Sequence, residues 1–361
     1  MAVLVMLAIS VGGCAGGSAG VSGPGGDGGD TRGLFAVGTR TEMLIQRGET
    51  VVSRTPAEFL SVNDQLQFTR DGRYVIRAEG VGDRRTVVTV GTGADPVVRR
   101  FRCSCDRVVP LDESRIAWVD AKAVSETQDV LVRLDLAESA PTAQRWRVLD
   151  SVVARASSGV GPLVRHSVLG SRTDRVLIGR AITERRSDVS AYEVFTVATD
   201  GSVVEYGPLP EVSGRLVSGR FEPGGDAVAV AAENVRDHNC GQAVVSIADP
   251  AATGFRTTVP QPDGCVDVGS LRWEAGALSI VVVHTALDDG FGTGTTVQRW
   301  RYDTQWSQLT GPVDVGRTRD DVTIELSTST GAAPFAVTLV ANGTRTRVAE
   351  GAYTFATPDP P

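Results

Sequence analysis

The side chains best able to do chemistry here are five cysteines, three histidines and a scatter of arginine and aspartate pairs. Beyond Cys14, the cysteines Cys103, Cys105, Cys240 and Cys265 form an even set. In an exported chain such a set reads as two disulfides, with three connectivities open. Cys103-Ser104-Cys105 lacks the two-residue spacing of a structural zinc site, so no metal is expected there. His166, His238 and His284 could hold a metal or serve as a general base. Their settings read more simply: His166 and His284 as strand-end residues bonded to backbone, His238 as a solvated loop residue. Asp288-Asp289-Gly290 lacks the alternating acidic spacing of a calcium loop and reads as a solvated turn. No His-Glu-x-x-His string occurs, and no Gly-x-Ser-x-Gly elbow sits between a strand and a helix. The expectation is no cofactor and no catalytic residue. Paired carboxylates can come from anywhere in an all-β chain, so a glycan- or peptide-acting enzyme stays as an alternative.

The N-terminus addresses compartment. Ala2 to Val11 is an uncharged apolar run of the length of a signal-peptide core, too short to span a bilayer as a mature helix. It ends in Val11-Gly12-Gly13-Cys14, which resembles the bacterial lipobox: small residues before a cysteine that becomes lipidated. No Lys or Arg precedes the run, unlike an ordinary signal peptide. The resemblance implies a signal peptide over residues 1–13, a lipidated Cys14, and membrane attachment on the extracytoplasmic face. Residues 14–33 are Gly-rich with almost no apolar side chains, which reads as a flexible tether. A phosphate-binding loop does not fit, because no Lys-Ser/Thr follows.

Composition bounds the partners. The net charge is −7, and no basic stripe with interleaved aromatics occurs, so nucleic acid is not an expected partner. Of 36 basic residues, all but Lys122 are arginine. That bias reads as the coding signature of a GC-rich bacterium such as an actinobacterium.

The elements that must position these residues are short strands. Apolar runs of Val, Ile, Ala and Leu alternate with clusters of Gly, Asp, Pro and Ser from residue 34 onward, and no long amphipathic helical pattern appears. A turn-then-strand unit is clearest at Phe68-Thr69-Arg70-Asp71-Gly72-Arg73-Tyr74-Val75-Ile76. Related copies begin near Asp112, Thr173, Gly225, Gly276 and Asp320, at a spacing of roughly 40 to 60 residues, which suits four-stranded blades. Six sets of four strands can be laid out from Leu66 to Ala349. Three strands before them (Leu34–Gly38, Glu42–Gln46, Thr50–Arg54) and one after (Tyr353–Ala356) make a split set. The predicted fold is therefore all-β: a seven-bladed β-propeller over residues 34–361, closed by pairing its terminal strands, with six or eight blades as alternatives.

Phe68-Thr69-Arg70-Asp71-Gly72-Arg73-Tyr74 resembles the Phe-Ser-Pro-Asp-Gly-Lys/Arg-Tyr element of TolB-like (WD40-like) β-propellers, and Phe221-Glu222-Pro223-Gly224-Gly225-Asp226 is a looser copy. The resemblance implies the scaffold and carries no catalytic residue.

In such a scaffold the loops joining second and third strands share a face with the blade-to-blade crossovers. Those loops read as long: Ala121–Gln128, Thr183–Ser190, Asn234–Gly241 and Ala286–Thr295. Long loops on one face of a rigid scaffold are where binding residues gather. The candidate binding residues are Arg185, Arg186, Asp188, Arg236, Asp237, His238, Asp288 and Asp289. All four cysteines fall on the same face. Cys240–Cys265 is the favoured bridge, stapling one loop to the next crossover, while Cys103 and Cys105 either close a local bridge or stay reduced. The five tryptophans read as core, with Trp306 the expected exception. The expected function is a monomeric, non-catalytic scaffold, lipid-anchored, that binds a protein or envelope component. A small-molecule or metal sensor using the histidines is a third reading. If Cys14 carries the anchor, Cys14→Ala moves the protein from the membrane fraction to the soluble fraction on cell fractionation. Unchanged membrane retention contradicts it.

Overall fold

The computed structural model describes residues 31–358 apart from 61–64, 81–84, 94, 126–127, 150–162, 184–189, 237–239, 249–254, 261–263, 275 and 289–290. The signal-peptide reading, Cys14 and most of the tether lie outside the described residues. Dense β-branched residues with short Gly- and Asp-rich interruptions favour extended chain over helix, and the described elements are all strands. The chain enters through β1 (Leu34–Thr39), β2 (Glu42–Arg47) and β3 (Thr50–Pro56). Five four-stranded antiparallel sheets follow in chain order. They are β4 to β7 (Gln67–Phe68, Tyr74–Glu79, Thr86–Gly91, Val98–Arg102) and β8 to β11 (Val109–Pro110, Arg115–Ser125, Gln128–Asp135, Gln144–Leu149). Next come β12 to β15 (Leu163–Arg172, Arg175–Thr183, Ser190–Ala198, Val203–Pro208) and β16 to β19 (Arg215–Phe221, Val228–Arg236, Cys240–Ala248, Phe255–Thr258). The fifth is β20 to β23 (Cys265–Glu274, Ala277–Asp288, Phe291–Tyr302, Trp306–Leu309). The chain ends in β24 (Asp314–Arg317), β25 (Thr323–Ser327), β26 (Phe335–Ala341) and β27 (Thr344–Ala356).

β27 serves two partners. Its first half pairs with β26, as in Leu339↔Thr346, and its second half pairs with β1, as in Val37↔Phe355 and Ala36↔Ala356. The expected strands Arg345–Ala349 and Tyr353–Ala356 are thus one continuous strand, and the expected pairing of chain ends is present. The result is one terminal sheet of seven strands, β24-β25-β26-β27-β1-β2-β3. Counted as one blade or two, it makes a propeller of six or seven blades, so the eight-bladed alternative falls away.

Apolar clusters fill the gaps between successive sheets and run right round. Leu34 and Ile45 of the terminal sheet pack with Phe68, Val75 and Val88. Ile76 and Val87 pack with Ile116, Trp118 and Val130, and Val119 and Leu131 with Val168, Ile178 and Phe195. Leu177 and Val194 meet Val228 and Val230, then Ala231 and Val245 meet Val268 and Ile280. Val281 and Val297 return to the terminal sheet at Ile324, Phe335 and Phe355. Both faces of each sheet are therefore buried, which is why strands such as β13 and β17 read as near-continuous apolar runs.

Three of the four loops expected to be long are largely strand among the described residues, while residues 184–189 of the fourth lie outside them. β9 runs to Ser125, β17 pairs with β18 out to Arg236↔Cys240, β21 with β22 out to Asp288↔Phe291, and β13 with β14 out to Thr183↔Ser190. Two antiparallel strands satisfy each other's N–H and C=O groups away from the core, so hairpin arms replace loops. Val124, Val235 and the Thr295-Thr296 pair favour that extended state.

Phe355 sits on the half of β27 that pairs with β1 and is 3% exposed. Phe355→Ala should cost about 3–5 kcal/mol of folding free energy by urea denaturation. A loss below about 0.5 kcal/mol, the range of an ordinary surface change, contradicts a packed closing seam.

Candidate functional site

The first strand of each sheet has one edge paired in its ladder and one edge facing the axis. The groups on that second edge need partners from elsewhere. At the end bearing the hairpin arms, carboxylates supply them. Asp129 Oδ2 on β10 accepts the His166 backbone N–H at 2.8 Å and contacts His166 Nδ1 at 3.0 Å. Glu233 Oε1 on β17 accepts the Val268 N–H at 2.6 Å, one sheet further on. At the opposite end, arginines bridge one sheet to the next. Arg172 donates to the Gly225 carbonyl at 2.6 Å and pairs with Asp226 at 3.3 Å. Arg272 donates to Asp314 at 3.1 Å. The Thr69-Arg70-Asp71-Gly72 turn belongs to this end. The Thr69 hydroxyl donates to Asp71 Oδ1 at 2.6 Å, Gly72 takes φ +72°, and Asp71 Oδ2 accepts the Ser114 hydroxyl of the next sheet's turn. Thr318-Arg319-Asp320-Asp321 repeats the arrangement: Thr318 donates to Asp320, Asp321 takes φ +61°, and Asp320 accepts the Gly33 N–H at 2.7 Å. The Asp of the turn is thus a blade-to-blade tie rather than only a turn former.

At the mouth of the hairpin end, Arg215, Glu233 and Asp267 form an ionic group with reach to solvent. Arg215 Nε, exposed at the start of β16, donates to Glu233 Oε2 at 2.6 Å. Partial burial and then the Glu233 charge push the Asp267 carboxyl above the usual aspartate range, against the opposing pull of Arg215. Both Glu233 oxygens are already engaged, one by Arg215 and one by Val268, so Glu233 is held as an anchor. Asp267 alone keeps the character of a protonatable surface acid.

The two disulfides join Cys240 to Cys265 and Cys103 to Cys105. Cys240–Cys265 ties the outer end of the β17–β18 arm, where Cys240 pairs with Arg236, to the start of β20, the staple anticipated between one arm and the next crossover. Cys103–Cys105 closes within the crossover from β7 to β8, and both residues are buried. Of the candidate binding residues, Arg236 and Asp288 lie at the tips of β17 and β21. Arg185, Arg186, Asp188, Asp237, His238 and Asp289 lie outside the described residues. His166 departs from its expected place: it is within β12, buried, edge-on to Phe195 at 6.0 Å, and bonded to a carboxylate rather than to backbone alone. His284 pairs with Val266 and Thr296 in the β20–β21–β22 ladder. Among the described residues no three His, Cys, Asp or Glu side chains are grouped to hold a metal. Trp306 is not the exposed exception. Its indole donates to Thr258 at 2.9 Å and its ring lies 5.1 Å from Tyr302, so it fills the gap between two sheets.

Sequence reasoning missed Asp129, Glu233, Arg215 and Asp267. The signal for Asp129 and Glu233 was a charge at the border of an otherwise apolar strand.

Comparisons with known proteins agree at the level of fold. No family model matches the sequence, and no curated protein matches it. A Bacteroides uniformis protein assigned as a 6-phosphogluconolactonase aligns with a TM-score of 0.51 at 10% identity, over 89% of this chain and 98% of that one. The β-propeller domain of the Trilobed protease from Pyrococcus furiosus aligns with a TM-score of 0.50 at 9% identity, over 88% and 93%. TolB from Acinetobacter baumannii gives 0.41 at 10% identity over 91% and 68%, too distant to bear on function. These likenesses show a β-propeller and nothing finer.

Cys240–Cys265 closes a loop with a sequence separation of 25. Replacing both cysteines by serine should lower stability by about 2–4 kcal/mol in thermal or urea unfolding. Asp267 gives a pH test. A carboxyl raised in the folded state binds more protons folded than unfolded, so its contribution falls as pH rises above the ordinary aspartate range. Relative to wild type, Asp267→Asn should gain stability as pH rises through that window, read from melting temperature. Parallel pH profiles contradict the assignment.

Proposed function

We propose that this chain is a seven-bladed, non-catalytic binding propeller, held at a bacterial membrane by a lipid on Cys14, that engages a protein or cell-envelope component through its hairpin-arm face. The observation that carries the reading is the asymmetry of the scaffold: short tied turns at one end, projecting β-arms stapled by Cys240–Cys265 at the other. A rigid ring that projects strands on one face suits recognition of a large partner. Two features support the count of seven. β27 divides its pairing between β26 and β1, and Phe35, Val37 and Leu44 pack face to face with Ile324, Val337 and Leu339, as side chains of two adjacent blades do.

A second reading, an enzyme acting on wall glycan or peptide, draws on the raised Asp267 beside Glu233. Its weakness is that hydrolysis by paired carboxylates needs both groups available, and Glu233 is committed to Arg215 and Val268. Crosslinking of the anchored protein in its own envelope, followed by identification of what is captured, separates the two. The binding reading expects one specific partner whose capture falls when the arm tips Arg236 and Asp288 are replaced by alanine. No specific partner, together with turnover of wall fragments that Asp267→Asn abolishes, overturns it in favour of the enzyme.

A further inference from the structure

The closing strand leaves a fork. β27 gives one edge to β26 from Thr344 onward, and its other edge meets β1 only from Ala352, opposite Thr39. Gly351, at φ +72°, is where the strand turns from one half of the sheet to the other, and a Cβ there would meet nothing within 4 Å. Over residues 344–351 the second edge of β27 has no ladder partner among the described residues. A cleft of about 450 Å³ opens in this fork. Val348 and Ala349 of β27 wall one side, and Leu44 of β2 and Val51 of β3 wall the other. That is the size of a small-ligand site.

Gln46 on β2 lines the same cleft and is fully buried. It stands in register between Phe35 and Val51, on a face where Phe35, Val37 and Leu44 pack against Ile324, Val337 and Leu339. Neither its Oε1 nor its Nε2 has a hydrogen-bond partner in the fold. A buried carboxamide with no partner costs stability that an apolar side chain of similar shape would not. The group that offsets this cost must offer a donor and an acceptor side by side. In an extended chain the N–H and C=O of one residue point the same way, so a single residue can donate to Oε1 and accept from Nε2. The open edge of β27 asks for the same partner, because a strand added to a sheet edge is held by main-chain bonds. Two independent features therefore select an extended peptide.

The rim adds a charge preference. Glu42 is matched by Arg54 at 2.8 Å, and Glu350 by Arg347 at 2.8 Å. Arg40, exposed in the β1–β2 turn and lining the cleft, forms no ion pair among the described residues. The rim thus carries one uncompensated cation, which favours a carboxylate on the ligand. We propose that this cleft binds an extended acidic peptide segment: Gln46 pairs with its main chain, β27 takes it as an added strand, and Arg40 meets an Asp or Glu side chain. The site is separate from the arm tips and does not depend on the partner proposed there.

The test is selection of phage-displayed random linear heptapeptides on the full chain, followed by titration of the enriched sequences as synthetic peptides. Enriched sequences should carry Asp or Glu and bind at one site per chain. Gln46→Met should weaken them about tenfold or more, the loss of two main-chain hydrogen bonds. Arg40→Glu should weaken them too and flatten the dependence on salt. If no acidic sequence is enriched on wild type, the proposal is overturned. Binding that Gln46→Met leaves unchanged, in a variant whose circular dichroism matches wild type, overturns it as well. Should Gln46→Met misfold, amide hydrogen exchange of the wild-type chain decides. Saturating peptide is expected to slow the amides of Val348, Ala349 and Glu350, and unchanged exchange there overturns the site.

Discussion

Closure of the ring by one strand is the constraint on which the rest of the molecule depends. β27 leaves its pairing with β26 and continues into pairing with β1, so the first and last segments of the chain share a single ladder. Without it the terminal sheet would split, exposing unpaired backbone along β1 and β26. The packing of Phe35, Phe335 and Phe355 in one cluster would be lost with it. The turn after β24 uses the same seam, since Asp320 reaches the backbone of Gly33 at the chain's entry.

Closure also creates a difficulty that the side chains resolve. A closed ring turns one edge of every first strand toward the axis, where no further strand can pair with it. The solutions differ at the two ends. Asp129 and Glu233 cap N–H groups beneath the hairpin arms, and arginines bridge one sheet to the next at the opposite end. Gly170 lets β12 and β16 approach more closely than any side chain would allow.

Much of the scaffold was legible in the sequence because strand rhythm and turn chemistry are local. Tyr74–Glu79, Thr86–Gly91, Gln144–Leu149 and Asp314–Arg317 coincide with their expected spans. The arms were misread as loops because β17 and β21 lengthen by pairing with partners across a turn, and polar residues such as Asn234 hide that extension. His166 was misplaced for a related reason. Its partner Asp129 is 37 positions away, and no local pattern marks two residues from adjacent sheets as a buried pair. The reach of Arg70 was least visible. Arg70 stood inside the quoted turn motif, but its target, the Ser171 carbonyl, lies two sheets away, and only the ring brings them together. Most of the residues expected to bind lie outside the described residues, so their part rests on the proposal of an arm-borne partner.

The account as a whole requires a ring closed through β27 and β1. Amide hydrogen exchange resolved to single residues measures this directly. The account predicts that the amides of Val37, Phe355 and Ala356 exchange as slowly as those of Val75 and Ile76 in the interior strand β5. Exchange of the β1 and β27 amides at the rate of exposed turns, with β5 still protected, would show an open ring and contradict it.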